Sequence, residues 1–190
     1  SLGIAGWISD QMAKPISGYP DAKYNRIQLN TSADCTTAMP GGGNYPAASP
    51  QALCARDHLT LAGLQRDFFT NAMFAPDQLR QRVAFALQQI VVVNNLDVEG
   101  TYGLRNYHNA LLDNAFGNYR QLLRKVTLSP VMGDFLNNVN NDKGAPNENY
   151  ARELLQLFSI GTCELNADGT LKGGACSATP WSRATRSSSG

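Results

Sequence analysis

The stretch Pro146-Asn-Glu-Asn-Tyr-Ala-Arg-Glu-Leu-Leu-Gln-Leu-Phe-Ser-Ile-Gly161 decides the fold. Tyr150, Leu154, Leu157 and Phe158 recur at the three- and four-residue spacing of one helix face, with polar and charged groups on the others. Asn147 suits the cap and Gly161 the stop. The spacing predicts an amphipathic helix from Asn147 to Ile160. The same period extends upstream. Leu79, Val83, Ala86, Leu87, Ile90 and Val93 form an apolar stripe behind Pro76, with Arg80, Gln81, Arg82 and Gln88 largely off it. Gly103 to Phe116 turns Leu104, Tyr107, Leu111 and Ala115 inward, and residues 118–128 do the same with Tyr119, Leu122, Leu123 and Val126. Ser129-Pro130 restarts a short helix bearing Val131, Met132, Phe135 and Leu136. Leu61, Leu64 and Phe68 mark another helix, and residues 3–13 a first one with Trp7, Ile8 and Met12 inward, stopped by Pro15.

Between the helices the composition changes. Residues 14–57 carry five prolines and Gly41-Gly42-Gly43, and read as a long loop. Thr162 to Lys172 reads as a small hairpin around Asp168-Gly169. The expected fold is all-α: a compact multi-helix bundle with a long disulfide-stapled N-terminal loop and a small C-terminal β-hairpin. Residues 1–176 are expected to form a single helical domain, a fragment of a longer protein. Residues 177–190, rich in Ser, Arg and Thr, read as a disordered tail.

Length and charge exclude several function classes. The chain has 190 residues, 16 basic and 15 acidic, for a net charge of +1, so nothing in bulk pulls it toward nucleic acid. No apolar run approaches the ~20 residues of a membrane-spanning helix. The four cysteines, Cys35, Cys54, Cys163 and Cys176, include no Cys-x-x-Cys pair, and with only His58 and His108 beside them a structural zinc site is a poor reading. Four cysteines allow three pairings. The local one, Cys35–Cys54 with Cys163–Cys176, closes two short loops and places the chain in an oxidising compartment, with free buried thiols as the alternative. Ser1-Leu2-Gly3 lacks the basic and apolar run of a signal peptide, so the expectation is a processed or truncated form of an exported protein.

Four segments carry a family likeness. The block 146–161, Leu79-Arg-Gln-Arg-Val-Ala-Phe-Ala-Leu-Gln-Gln-Ile90, Ala115-Phe-Gly-Asn-Tyr-Arg-Gln-Leu-Leu123 and Val126-Thr-Leu-Ser-Pro-Val-Met-Gly133 together resemble the DUF1800 family, in its order, over roughly residues 76–165. The resemblance implies a largely helical, exported bacterial protein, secreted or periplasmic, of a kind often accompanied by a second exported family, DUF1501. It supplies no catalytic residue. Family members usually continue into a further helix, whereas this chain runs Thr179-Pro-Trp-Ser-Arg-Ala-Thr-Arg-Ser-Ser-Ser-Gly190.

The polar face of the 147–160 helix is where chemistry would sit. Glu148 and Arg152, at i and i+4, suit a helical ion pair, and Glu148 lies where the helix dipole favours an anion. On one reading these groups are structural, with Arg152 and Glu153 anchoring neighbouring loops. On the other, Glu148, Arg152 and Glu153 form a carboxylate–arginine centre, with Asp142, Asn149 and Arg80 or Arg82 as binding groups. Five positions set Glu148 and Glu153 about 140° apart around the axis, which weighs against one shared pocket. Asn138, Asn140 and Asp142 alternate as in a calcium loop, but Lys143 and Asn149 stand where Gly and Glu are needed. No nucleophile elbow or phosphate loop is present. His58 and His108 read as surface or hydrogen-bonded helix histidines. Trp7, Tyr19, Tyr24 and Tyr45 in or beside the long loop either stack on a sugar or partner or pin the loop to the core.

No metal or cofactor is implied. The expected function is a binding or assembly module acting on a polysaccharide, a surface or a co-exported partner protein. A hydrolase-type enzyme built on Glu148, Arg152 and Glu153 is the alternative.

Overall fold

In the computed structural model the described residues are 3–20, 49, 50, 52, 53, 61–98, 101–174 and 176. Cys35, Cys54, His58, Tyr24, Tyr45, most of the N-terminal loop and the 177–190 tail lie outside them. The described residues hold seven named α-helices and no strand: α1 (Gly3–Ala13), α2 (Ala62–Phe74), α3 (Gln78–Ile90), α4 (Thr101–Asp113), α5 (Tyr119–Thr127), α6 (Pro130–Phe135) and α7 (Asn149–Gln156). Residues 50, 52 and 53, inside the stretch read as loop, are helical as well, with Ser49 Oγ accepting the Ala52 amide at 3.2 Å. The chain divides into two compact units, Ser1–Phe135 and Leu136–Gly190.

In the first unit α3 packs on α1, α2 and α4, and α4 on α2, α5 and α6. Its fully buried side chains include Val91, Leu111, Leu112, Leu122, Val126 and Met132. Local chemistry sets the helix ends. Ala75 is extended (ψ 140°) before Pro76, which disfavours a helical residue ahead of it and separates α2 from α3. Asn118 caps α5, its Oδ1 accepting from the Arg120 and Gln121 amides at 3.0 and 3.3 Å. Pro130 opens α6 as its first residue. Where α4 passes α6, a Cβ on Gly103 would lie 2.7 Å from Val131 Cγ2, so only glycine permits that approach.

Two inward faces differ from expectation. In α3 the buried residues are Arg80, Gln81 and Ala84, while Ile90 is exposed. The side of α3 that meets α1, α2 and α4 carries polar groups, and the buried ones find partners there. Arg80 Nη1 donates to the Leu112 carbonyl at 3.2 Å, and its guanidinium lies 4.5 Å from the Phe116 ring centre. In α1 the only buried residue is Gln11, while Trp7, Ile8 and Met12 are exposed. Gln11 turns inward because α3 needs it: Nε2 donates to the Pro76 carbonyl and Oε1 accepts from the Leu79 amide, each at 3.2 Å. That satisfies one of the orphan amides at the start of α3.

The cap residue of α3, Asp77, is fully buried and engaged elsewhere. Its Oδ2 accepts the Ser17 amide at 3.0 Å. Asn71 Nδ2 and Gln81 Nε2 donate to the Ser17 carbonyl at 3.1 and 2.9 Å. Asn109 both accepts from the Tyr19 amide (2.8 Å) and donates to its carbonyl (3.0 Å), and Arg105 Nη1 donates to the Pro20 carbonyl at 2.8 Å. Residues 16–20 form a non-helical strap whose backbone groups bond to side chains, since no strand among the described residues offers a ladder.

In the second unit, Asn141 closes a loop onto Asn147, with Nδ2 donating to the Asn147 carbonyl at 2.7 Å and Oδ1 accepting its amide at 2.8 Å. Helix α7 follows, two residues shorter at its start than the spacing predicts. Its end also differs. Phe158 N bonds back five residues to Glu153 O (2.9 Å), and Gly161, at φ 78°, bonds to Leu155 O at 3.2 Å. Tyr150 in the first turn is buried; the wide last turn buries Phe158 and turns Leu157 out to solvent, with Leu154 half-buried. Beyond it, Leu165 and Leu171 form one antiparallel bridge around a turn with Gly169 at φ 83°. Cys163 and Cys176 are disulfide-bonded, with Cα atoms 4.9 Å apart.

Candidate functional site

The charged face of α7 is largely occupied within itself. Arg152 pairs with Glu153, Nε to Oε1 at 3.3 Å, and donates from Nη2 to Asn149 Oδ1 at 2.8 Å. Glu148, which the i, i+4 spacing pairs with Arg152, is exposed and instead supplies the backbone carbonyl that accepts the Arg152 amide. Asn147 works as a helix-start acceptor, taking the Asn149 amide at 2.9 Å. Asp142 is exposed and organises its own loop, Oδ1 accepting from the Gly144 and Ala145 amides at 2.6 and 3.0 Å. The second carboxylate oxygen of Glu153 is buried and has no hydrogen-bond partner. Arg80 and Arg82 belong to the first unit. Arg80 is committed to Leu112, Asp77 and Phe116, and Arg82 Nη2 donates to the Ala72 carbonyl at 3.2 Å. Among the described residues no group of three or more His, Cys, Asp or Glu side chains is placed to hold a metal ion, and no helix is long and apolar enough to cross a membrane.

A different place in the first unit has the shape of a ligand site. A pocket of about 390 Å³ opens where α2, α3, α4 and the strap meet. Phe68 and Phe69 from α2, Phe85 and Gln88 from α3, His108 from α4 and Tyr19 from the strap line it, with Arg82 at its edge. A second cavity of about 290 Å³ shares Phe68, Phe69, Phe85, Gln88 and His108, so the two are lobes of one groove. The aromatic rings are mutually braced: Phe68 lies edge-on to Phe69 with centres 5.4 Å apart, and 5.8 Å from Phe85. Phe69 and Phe85 remain exposed.

Three polar groups face this groove without a commitment. The Tyr19 hydroxyl, the His108 imidazole and the Gln88 amide make no hydrogen bond among the described residues. Burial pushes the His108 pKa down to about 4, so the ring is neutral at pH 7, with one donor and one acceptor nitrogen. Burial, and secondarily the Asp67 carboxylate, pushes the Tyr19 hydroxyl up to about 12, which keeps its proton in place. Of the two roles the sequence leaves open for Tyr19, pinning is the one seen: the residue is buried and its backbone ties the strap to α4, while its ring lines the pocket. Phe85, to which the sequence reading gives no role, and His108 belong to the site only because α2 and α4 converge on α3. No signal in the sequence places them together.

Fold and groove define the class: an all-α, disulfide-bonded protein with a ligand-sized aromatic groove. The family described as "Protein of unknown function (DUF1800)" matches residues 1–175, and the chain belongs to it. No curated protein and no solved structure matches the chain.

Proposed function

We propose that this protein is a binding module of an exported bacterial system and that its groove seats a saccharide ring. The observation that carries this reading is the pairing of aromatic faces with the uncommitted Tyr19, Gln88 and His108 groups. A sugar presents apolar C–H faces and hydroxyls that both donate and accept. A pocket of mostly apolar walls with a few placed polar groups suits it, and neutral His108 matches hydroxyls in either direction. The Cys163–Cys176 bond supports work in an oxidising compartment, secreted or periplasmic. Calorimetry against a panel of neutral oligosaccharides tests the reading. Phe69→Ala, at an exposed ring, is expected to keep the fold and weaken binding about tenfold. Absence of binding across the panel, or equal affinity in the variant, removes the saccharide reading.

One observation favours a second reading. The buried, unpartnered Oε2 of Glu153 beside Arg152 is the kind of group an acid–base centre uses. On that reading Glu153→Gln leaves a folded protein that has lost turnover in a hydrolase screen. A variant that unfolds instead assigns Glu153 to structure.

A further inference from the structure

We propose that the concavity at the start of α5 is a second, separate site, and that it binds an oxyanion of the phosphate or sulfate type. The concavity measures about 400 Å³ and is lined by Asn118, Arg120, Gln121 and Arg124. All four side chains offer N–H donors. Asn118 spends its oxygen on the Arg120 and Gln121 amides, which leaves its amide nitrogen as the outward-facing end. Neither arginine has a side-chain hydrogen bond or an ion pair among the described residues. Among the described residues no carboxylate lines the concavity. The third cation of the helix, Lys125, differs in having an acid near it, Asp113 Oδ2 at 3.9 Å.

The helix carries these arginines at an electrostatic disadvantage. Arg120 sits in the first turn, where the helix dipole is already positive, and that turn holds no acid. Arg124 follows at i+4, a spacing at which like charges repel. A bound anion relieves both. The helix end itself contributes little, because Asn118 has already satisfied its first amides. Guanidinium groups pair with oxyanions through parallel N–H···O bonds, and a tetrahedral anion with several terminal oxygens can accept from two of them and from flanking amides together. A carboxylate has fewer oxygens to share among four donor side chains. The chemistry is the same for a free ion and for an ester group along a polymer.

The test uses the whole chain and two probes, inorganic phosphate and dextran sulfate, with uncharged dextran as the blank. Wild type is compared with Arg120→Gln/Arg124→Gln, and with Lys143→Gln/Lys172→Gln, which removes the same amount of charge elsewhere. The arginine variant is expected to weaken binding by about tenfold or more, the lysine variant to bind as wild type does. Because both arginines are exposed, the thermal midpoint of the arginine variant should match or slightly exceed that of wild type, which separates loss of binding from loss of fold. Phosphate binding without dextran sulfate binding assigns a free-ion site, and binding of both assigns a polymer-borne group. No binding of either probe by wild type overturns the inference, as do equal losses in the two double variants. The saccharide groove can fail its own test without affecting this one, since the sites share no residue.

Discussion

Burial holds the His108 imidazole neutral well below the usual histidine range, and that has a measurable consequence. Its folded pKa of about 4 lies below the ordinary 6.5, so the folded state resists protonation that the unfolded chain accepts. The associated stability is fully present above about pH 6.5 and is lost as pH falls toward 4, by an amount on the order of 3 kcal/mol. The urea midpoint of wild type should fall relative to that of His108→Gln as pH drops through that window, and a wild-type midpoint flat from pH 7 to 4 would contradict it. Gly103 makes a second residue-level case. Alanine there gains helix propensity of about 1 kcal/mol but drives its methyl into Val131, a β-branched side chain with little freedom to move. Overpacking of this kind costs about 1–3 kcal/mol, so Gly103→Ala should lower the thermal midpoint, and Gly103→Ala/Val131→Ala should recover part of the Gly103→Ala loss.

The strap and α7 show how an element's role depends on its neighbours. Residues 16–20 have no periodicity of their own. Asp77, Gln81, Asn71, Asn109 and Arg105 hold them through the backbone, and four of those five side chains belong to α2, α3 or α4. Asp77→Ala strips a buried acceptor from the Ser17 amide and leaves Arg80 without its nearby carboxylate. Removing one partner from such a buried network costs about 3–5 kcal/mol, and amide exchange at Ser17 should accelerate before any exchange deep in α4. The sequence is transparent to helix existence here because periodic burial is a local property. It is opaque to the strap, whose side-chain partners lie 54 to 90 positions away in the chain.

At the scale of the molecule, the two units rest on different devices. The first has a helical core in which Leu111, Leu122, Val126 and Met132 are almost wholly removed from water. In the second, the described segment after α7 contains the Leu165–Leu171 bridge, an Asp168–Thr170 turn and the Cys163–Cys176 bond. Closing a loop of 13 residues is worth about 3 kcal/mol in the chain-entropy account. Cys163→Ser/Cys176→Ser should therefore raise proteolytic cleavage between residues 162 and 174, while exchange protection in α3 and α4 stays as in wild type. Loss of protection in α4 would refute this division of labour.

Read alone, the sequence placed the seven named helices to within a few residues and tied the 146–161 block to its family, because helical period and capping chemistry act over one or two turns. Only the tertiary structure decided which faces are inside. Arg80 and Gln81 go in and Trp7 and Leu157 stay out, since burial of a polar group depends on whether a distant partner meets it. The groove is likewise tertiary: Tyr19, Phe68, Phe85 and His108 come from four segments, and only the packing of α2 and α4 on α3 makes a single surface of them.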